Sequence, residues 1–129
     1  MIKLECPVGT STNWCFGART SSTADRYTFG ASSSGYYASA YKTTAGNMDA
    51  YHNTEKPFEL DKNKNNTYIK GAIVASATYE EFSASVPLAL FAINTNGSFT
   101  KGKLNIYSCK IYDNDVLVRD YIPVINDIG

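Results

Sequence analysis

The chain is expected to be all-β, a two-sheet antiparallel sandwich, and three observations carry that expectation. It is rich in Tyr, Ser, Thr, Asn and Gly, with ten tyrosines against one tryptophan and few strong helix formers. Clusters of turn residues separate short apolar runs along its whole length. The stretch from Lys103 to Val124, KLNIYSCKIYDNDVLVRDYIPV, joins two β-rich runs through Asp113-Asn114-Asp115, as a hairpin does. No other segment is as apolar and β-branched, so this hairpin is expected to form the central pair of a sheet. Three linking residues suit antiparallel neighbours and are too few for a parallel crossover.

The length of 129 residues fits a single domain, 1–129, able to bury about two thirds of its unfolded surface. Twelve basic residues balance twelve acidic ones, so the chain offers no electrostatic footprint for nucleic acid or an anionic membrane. No apolar run is long enough to insert into a bilayer. The start, MIKLECPVGT, lacks the apolar core of a signal peptide. Cys6, Cys15 and Cys109 are an odd count without CxxC or clustered His, which predicts small buried thiols; a Cys6–Cys15 bridge across a hairpin is the alternative.

Taken in order, Ile2, Leu4 and Cys6 alternate with Lys3 and Glu5, predicting an amphipathic strand ended by Pro7 and Gly9. Trp14 to Arg19 follows a polar turn and is expected to be the antiparallel return strand. After the polar loop Thr20 to Asp25, Arg26 to Ala31 forms a strand, and Ser32 to Gly35 turns the chain into Tyr36 to Tyr41. Alternation puts Tyr37, Ser39 and Tyr41 on one face, a tyrosine platform. Gly46-Asn47 marks a turn before a strand from Met48 to Tyr51.

Phe58 to Gly71 reads as a hairpin with an Asn-rich turn, followed by a tight turn at Lys70-Gly71 and a strand from Ala72 to Ala77. Tyr79 to Ala84 is either one helical turn or a loop crossing between sheets. Val86 to Ile93 is expected to be one buried strand, and Asn94 to Lys101 carries an Asn-Gly turn signal. In the central hairpin, Val116-Leu117-Val118 sets aliphatic side chains on both faces, so the strand is covered on both sides or bent by a bulge. Arg119 calls for a partner, a carboxylate fitting its fork best. The total is nine to eleven strands without a helix, and the long connections allow a jelly roll.

Several phrases carry a resemblance: Phe16-Gly17-Ala18-Arg19-Thr20; Phe58-x-Leu60-Asp61-Lys62-Asn63-Lys64; Tyr68-Ile69-x-Gly71; and Leu90-Phe91-Ala92-Ile93-Asn94-x-Asn96-Gly97. The longest is Leu104-x-Ile106-Tyr107-Ser108-Cys109-Lys110-Ile111-Tyr112-Asp113 with Leu117-Val118-Arg119-Asp120-Tyr121-Ile122-Pro123. In this order they resemble the concanavalin A-like, laminin-G-like jelly-roll modules of phage and prophage structural proteins and bacterial surface proteins. Such modules usually begin one strand earlier and continue past the stretch matching Tyr121 to Pro123 into a Gly-Leu-Tyr-Asp segment. By that measure the chain is either a trimmed version, lacking a terminal strand at each end, or a fragment. Its open edges would then be covered by a neighbouring subunit.

The resemblance implies a module that binds glycans or a host-cell surface, or that decorates a particle, located on a virion or cell surface. Homo-oligomers or other virion proteins are the implied partners. Catalysis is not expected. Glucanases sharing this jelly roll need Glu-x-Asp-x-x-Glu on one strand, and Glu59-Leu60-Asp61 is followed by Lys64 where the second Glu belongs. The lone His52 is not expected to serve a Ser-His-Asp site, and no Gly-rich phosphate loop is present in the sequence. A sugar needs an aromatic face and polar groups for its hydroxyls. Tyr37 and Tyr41, with Asn47, Asp49 and His52 in the next loop, supply both, and Trp14 is the alternative stacking residue. No cofactor is expected; Asp25, Asp49, Asp113 and Asp115 have the hardness calcium prefers but no EF-hand-like spacing, so no metal is assigned. Asn65 and Asn96 begin Asn-x-Ser/Thr matches, read as chance.

Overall fold

The computed structural model describes residues 2–5, 13–31, 36–52, 58–102 and 105–122. Among these residues there are strands and no helix. The strands are β1 (Ile2–Glu5), β2 (Asn13–Arg19), β3 (Arg26–Ala31), β4 (Tyr36–Lys42), β5 (Thr44–His52), β6 (Phe58–Asn63) and β7 (Asn66–Ile69). They continue with β8 (Ala72–Ser76), β9 (Ala89–Leu90), β10 (Ala92–Thr95), β11 (Ser98–Lys101), β12 (Asn105–Asp113) and β13 (Val116–Tyr121). Two sheets result. The first runs β13-β12-β1-β6-β7-β8; the second runs β11-β10-β2-β3-β4-β5, with β9 paired to β2. The pairing is antiparallel apart from a short parallel match of β10 to β2, Asn94 opposite Ala18.

The fold is β-sandwich-like, and alternation explains which side chains fill its middle. In the second sheet Phe16 stands opposite Phe29, Phe29 opposite Ser39, Ala18 opposite Tyr27 and Tyr27 opposite Tyr41, so all six share one face. In the first sheet Leu60 faces Ile69 and Lys62 faces Thr67. The two faces meet in a core of Cys15, Phe16, Phe29, Leu60, Ile69 and Cys109. Burying Phe29, Leu60 and Ile69 stabilises the fold by roughly 1.5–3 kcal/mol each.

The turns follow local chemistry. Lys64-Asn65, Lys70-Gly71 and Asn96-Gly97 reverse the chain where Lys64, Lys70, Gly71, Asn96 and Gly97 adopt positive φ. At Asn114-Asp115 both residues have positive φ, 46° and 65°, the primed geometry whose twist matches a hairpin.

Several expectations are overturned. The β12–β13 hairpin forms, but β13 is the outermost strand of its sheet and every one of its residues is exposed. Its apolar content reflects an uncovered ribbon rather than a central one. The bulge expected for β13 is present: Ile111 pairs with Arg119 and Tyr112 with Leu117, which leaves Val118 as the extra residue. Arg119 donates to the Val118 carbonyl at 2.7 Å and, among the described residues, not to a carboxylate. β1 pairs β12 and β6, so β2 belongs to the other sheet and is not its return strand. The expected turn at Gly46-Asn47 lies within β5, and the chain reverses instead at Lys42-Thr43, where Lys42 takes φ 49°. Val86 to Ile93 is not one strand, because Phe91 at φ 59° breaks it into β9 and β10. That break, together with the additional strand β11 after the Asn96-Gly97 turn, brings the number of strands among the described residues above the nine to eleven expected. Cys15 and Cys109 are both buried, as expected, and the alternative Cys6–Cys15 bridge involves Cys6, which lies outside the described residues.

Candidate functional site

Between β8 and β9 the chain runs from 77 to 88 without regular structure, crossing from one sheet to the other. Of the two readings for Tyr79 to Ala84, the crossing loop is the one observed. Hydrogen bonds hold it along its length. Asn65 Nδ2 donates to the Ala77 carbonyl at 2.6 Å, and the Tyr41 hydroxyl donates to the Glu80 carbonyl at 2.6 Å. Lys42 forms an ion pair with the Glu80 carboxylate, Thr20 Oγ1 lies 3.4 Å from Ser85 Oγ, and Asn94 Nδ2 donates to the Pro87 carbonyl at 3.1 Å.

The crossing segment and the ends of β2, β3 and β4 enclose an open groove of about 730 Å³. Tyr27, Tyr41, Tyr79 and Phe82 form its aromatic wall, with Val86 and Leu88 extending it and Lys64, Glu81 and Ser83 supplying polar groups. Tyr41 meets Phe82 edge to face at 5.2 Å and stacks with Tyr79 at 6.5 Å, geometries that suit ring quadrupoles. Lys64 Nζ stands 5.4 Å from the Tyr79 ring centre. Tyr79 is 48% exposed and therefore offers ring surface to a ligand, while Tyr41 is buried beneath it.

Under the groove lies a second polar cluster. Tyr27 donates its hydroxyl hydrogen to the Lys62 carbonyl at 2.7 Å, tying β3 to β6. Lys62 Nζ turns inward between the sheets, donating to Ser39 Oγ at 2.8 Å and Thr67 Oγ1 at 3.3 Å, 5.0 Å from the Tyr27 ring centre. Ser39 and Thr67 hydroxyls are themselves 2.7 Å apart. Burial lowers the Lys62 pKa to about 8. It raises the Tyr27 hydroxyl, with the Asp61 charge adding to the shift, and raises that of Tyr41.

A serine hydroxyl beside a lowered-pKa amine is a pairing that can activate a nucleophile. Here Ser39 and Thr67 are buried, and neither lines the groove.

Of the two candidate residues whose side chains are described, Trp14 does not line the groove and Tyr41 does. It does so from the inner face of β4, with Ser39, so the tyrosine platform does not stand outward at these two positions. Tyr37, Asn47, Asp49 and His52 stand on neighbouring strands, Tyr37 opposite Met48, Asn47 opposite Ala38 and His52 opposite Tyr36. Their side chains lie outside the described residues. Trp14 sits on the opposite face of β2 from Phe16, near Arg19, whose guanidinium carbon lies 5.5 Å from the indole centre. Arg19 also donates through Nε to Thr95 Oγ1 at 2.7 Å, so the cation over Trp14 is anchored within the chain. Trp14 and Tyr41 are therefore not brought together. Asp25 precedes β3, whereas Asp113 and Asp115 flank the β12–β13 turn. Among the described residues no three His, Cys, Asp or Glu side chains gather.

Sequence reasoning missed Tyr27, Lys64, Tyr79, Phe82 and Leu88. A signal existed in Tyr79-Glu80-Glu81-Phe82, two aromatic residues in a segment with no strand alternation to bury them. No family model, curated protein or solved structure matches the chain.

Proposed function

We propose that the chain is a non-catalytic, concanavalin A-like jelly-roll module that binds glycans through the aromatic groove. The resemblance further suggests a phage-like particle or bacterial surface as its place of work. The observation that carries this reading is the juxtaposition of an exposed Tyr79 face and the Phe82 ring with Lys64, Glu81 and Ser83 in one open groove. A sugar ring stacks its C–H patch on an aromatic face while its hydroxyls bond rim groups, and this wall and rim supply both. The groove is open to solvent, which suits an oligosaccharide chain better than an enclosed small molecule. The burial of Ser39 beside Lys62 supports the non-catalytic part of the reading.

Glycan-array screening followed by NMR titration of the best ligand tests it. Shifts are expected at Tyr79, Phe82 and Lys64. An array without hits, or a ligand whose shifts cluster elsewhere, would refute the groove as the site.

A second reading, an architectural module of a virion capsid or tail, is favoured by one separate observation: the exposed apolar strand β13.

A further inference from the structure

The sequence holds one Asn-Gly step, Asn96-Gly97, and that dipeptide is chemically labile. Once hydroxide has taken its proton, the glycine backbone nitrogen can attack the asparagine side-chain carbon, because the glycine has no Cβ to hinder the approach. The N–Cγ bond forms, the Cγ–Nδ2 bond breaks and ammonia leaves; water then opens the cyclic imide to aspartate or isoaspartate. Asn96 and Gly97 are both exposed, so water and hydroxide reach them. They make the two-residue turn between β10 and β11, where Thr95 stands opposite Ser98 and φ is 47° and 90°, the primed geometry.

A hairpin of this kind bonds the residues that flank the turn and leaves the N–H of the second turn residue over. In this chain that N–H has a partner: Gly97 donates it to Asn94 Oδ1 at 2.9 Å. Asn94 is only 2% exposed, and its other amide atom is engaged as well, Nδ2 donating to the Pro87 carbonyl at 3.1 Å. The two partners fix which way the amide points, since its oxygen can only accept and its nitrogen only donate. Asn96 donates its own N–H to the Arg19 carbonyl at 3.0 Å, tying the start of the turn to the end of β2.

We infer that Asn96-Gly97 is a latent self-modification site and that Asn94 holds it unreactive. Two effects act together. Removing the Gly97 proton would leave a nitrogen anion facing the lone pairs of Asn94 Oδ1, so the nucleophile forms less readily than in a free peptide. Ring closure also needs the Gly97 nitrogen to swing toward Asn96 Cγ, a motion that must break the bond to Asn94. Isoaspartate would add a methylene to the backbone and so spoil the two-residue loop that Thr95 and Ser98 close. Asn94 is thus a positioning residue, acting on the reacting atoms through the Gly97 N–H. The inference stands independently of the glycan reading.

Peptide mass spectrometry of the full chain aged at mildly alkaline pH, with isoaspartate quantified, tests it against a synthetic peptide of residues 92–101 aged in parallel. The wild-type chain is expected to deamidate at Asn96 at least about tenfold more slowly than the peptide, with the Gly97 amide slow to exchange its hydrogen for deuterium. Asn94→Leu removes the acceptor and should speed deamidation at least about fivefold, the rate equivalent of one net hydrogen bond. Asn94→Asp keeps an oxygen for the Gly97 N–H and should stay within about twofold of the wild type. Circular dichroism checks that both variants fold; where Asn94→Leu does not, Gly97 exchange in the wild-type chain decides. A wild-type rate equal to the peptide's, or Gly97 exchange as fast as in the peptide, would overturn the proposal. So would a folded Asn94→Leu as slow as the wild type, or an Asn94→Asp as fast as Asn94→Leu.

Discussion

Lys62 Nζ lies 2.8 Å from Ser39 Oγ, an ammonium group from one sheet held by a hydroxyl of the other. No carboxylate stands within ion-pair distance of it among the described residues, and its pKa falls to about 8 from an ordinary 10.5. The consequence is a stability that depends on alkaline pH.

The folded pKa lies below the unfolded one, so folding penalises the protonated amine. That penalty is fully present below pH 8 and is relieved as pH rises toward 10.5, where the unfolded chain binds more protons. Urea unfolding should therefore show stability rising from pH 8 to about pH 10. Lys62→Met should stabilise the protein at pH 7 by up to about 3 kcal/mol and flatten this rise. The Ser39 and Thr67 hydroxyls keep each other as partners in the variant, 2.7 Å apart.

Tyr27 acts in the opposite sense. Its hydroxyl is buried and resists ionisation when folded, so above its ordinary pKa of 10.0 the unfolded chain loses a proton that the folded chain keeps, and stability falls. Tyr27→Phe should remove that alkaline fall. It should also cost about 1–2 kcal/mol at pH 7, since the Lys62 carbonyl loses its donor. Parallel denaturant titrations at pH 7 and pH 11 separate the two effects.

The crossing segment is held more by Tyr41 than by its ion pair. Tyr41→Phe deletes a bond from a buried hydroxyl to the Glu80 carbonyl and should cost about 1 kcal/mol. Glu80→Gln breaks a solvent-exposed pair with Lys42 and should change stability by less than about 1 kcal/mol. Thermal melts of the two variants in low and high salt give the comparison, salt moving the wild type only slightly.

Tyr79→Ala removes exposed ring surface from the groove and should leave the melting temperature nearly unchanged. Affinity for a glycan found on the array should drop at least about tenfold, roughly 1.4 kcal/mol. Isothermal titration calorimetry on the wild type and the variant reads this directly.

Gly102→Ala should be the most damaging small substitution. A Cβ there would lie 2.2 Å from the Trp14 carbonyl oxygen, a backbone atom that cannot swing aside. A loss of about 3 kcal/mol or more is expected in urea unfolding.

Local chemistry made most of the strands legible. Alternation in Ile2 to Glu5, the Asn-rich turn before Asn66, the Asn96-Gly97 turn and the polar tripeptide before Val116 each act over a few residues, and each produced the element expected. The same locality explains the failures at Gly46-Asn47 and in Val86 to Ile93. Turn propensity yielded to a nine-residue strand paired along β4, and an apolar run was broken where Phe91 donates its backbone N–H to the Cys15 carbonyl at 2.8 Å.

Of the groove's described walls, Tyr41 was the candidate legible in the sequence. Its other walls come from β2, β3 and a segment more than thirty residues further on, and no local pattern announces that Tyr27, Tyr79 and Phe82 will meet. The sequence by itself determined the β character, the hairpin of β12 with β13 and the burial of Cys15 and Cys109, because side-chain periodicity and turn geometry are short-range. Only the tertiary structure decided that β13 lies at the rim, that Tyr41 looks inward and that Lys62 turns in between the sheets. Strand order and sheet facing depend on which apolar faces cover one another, and that is settled by long-range packing.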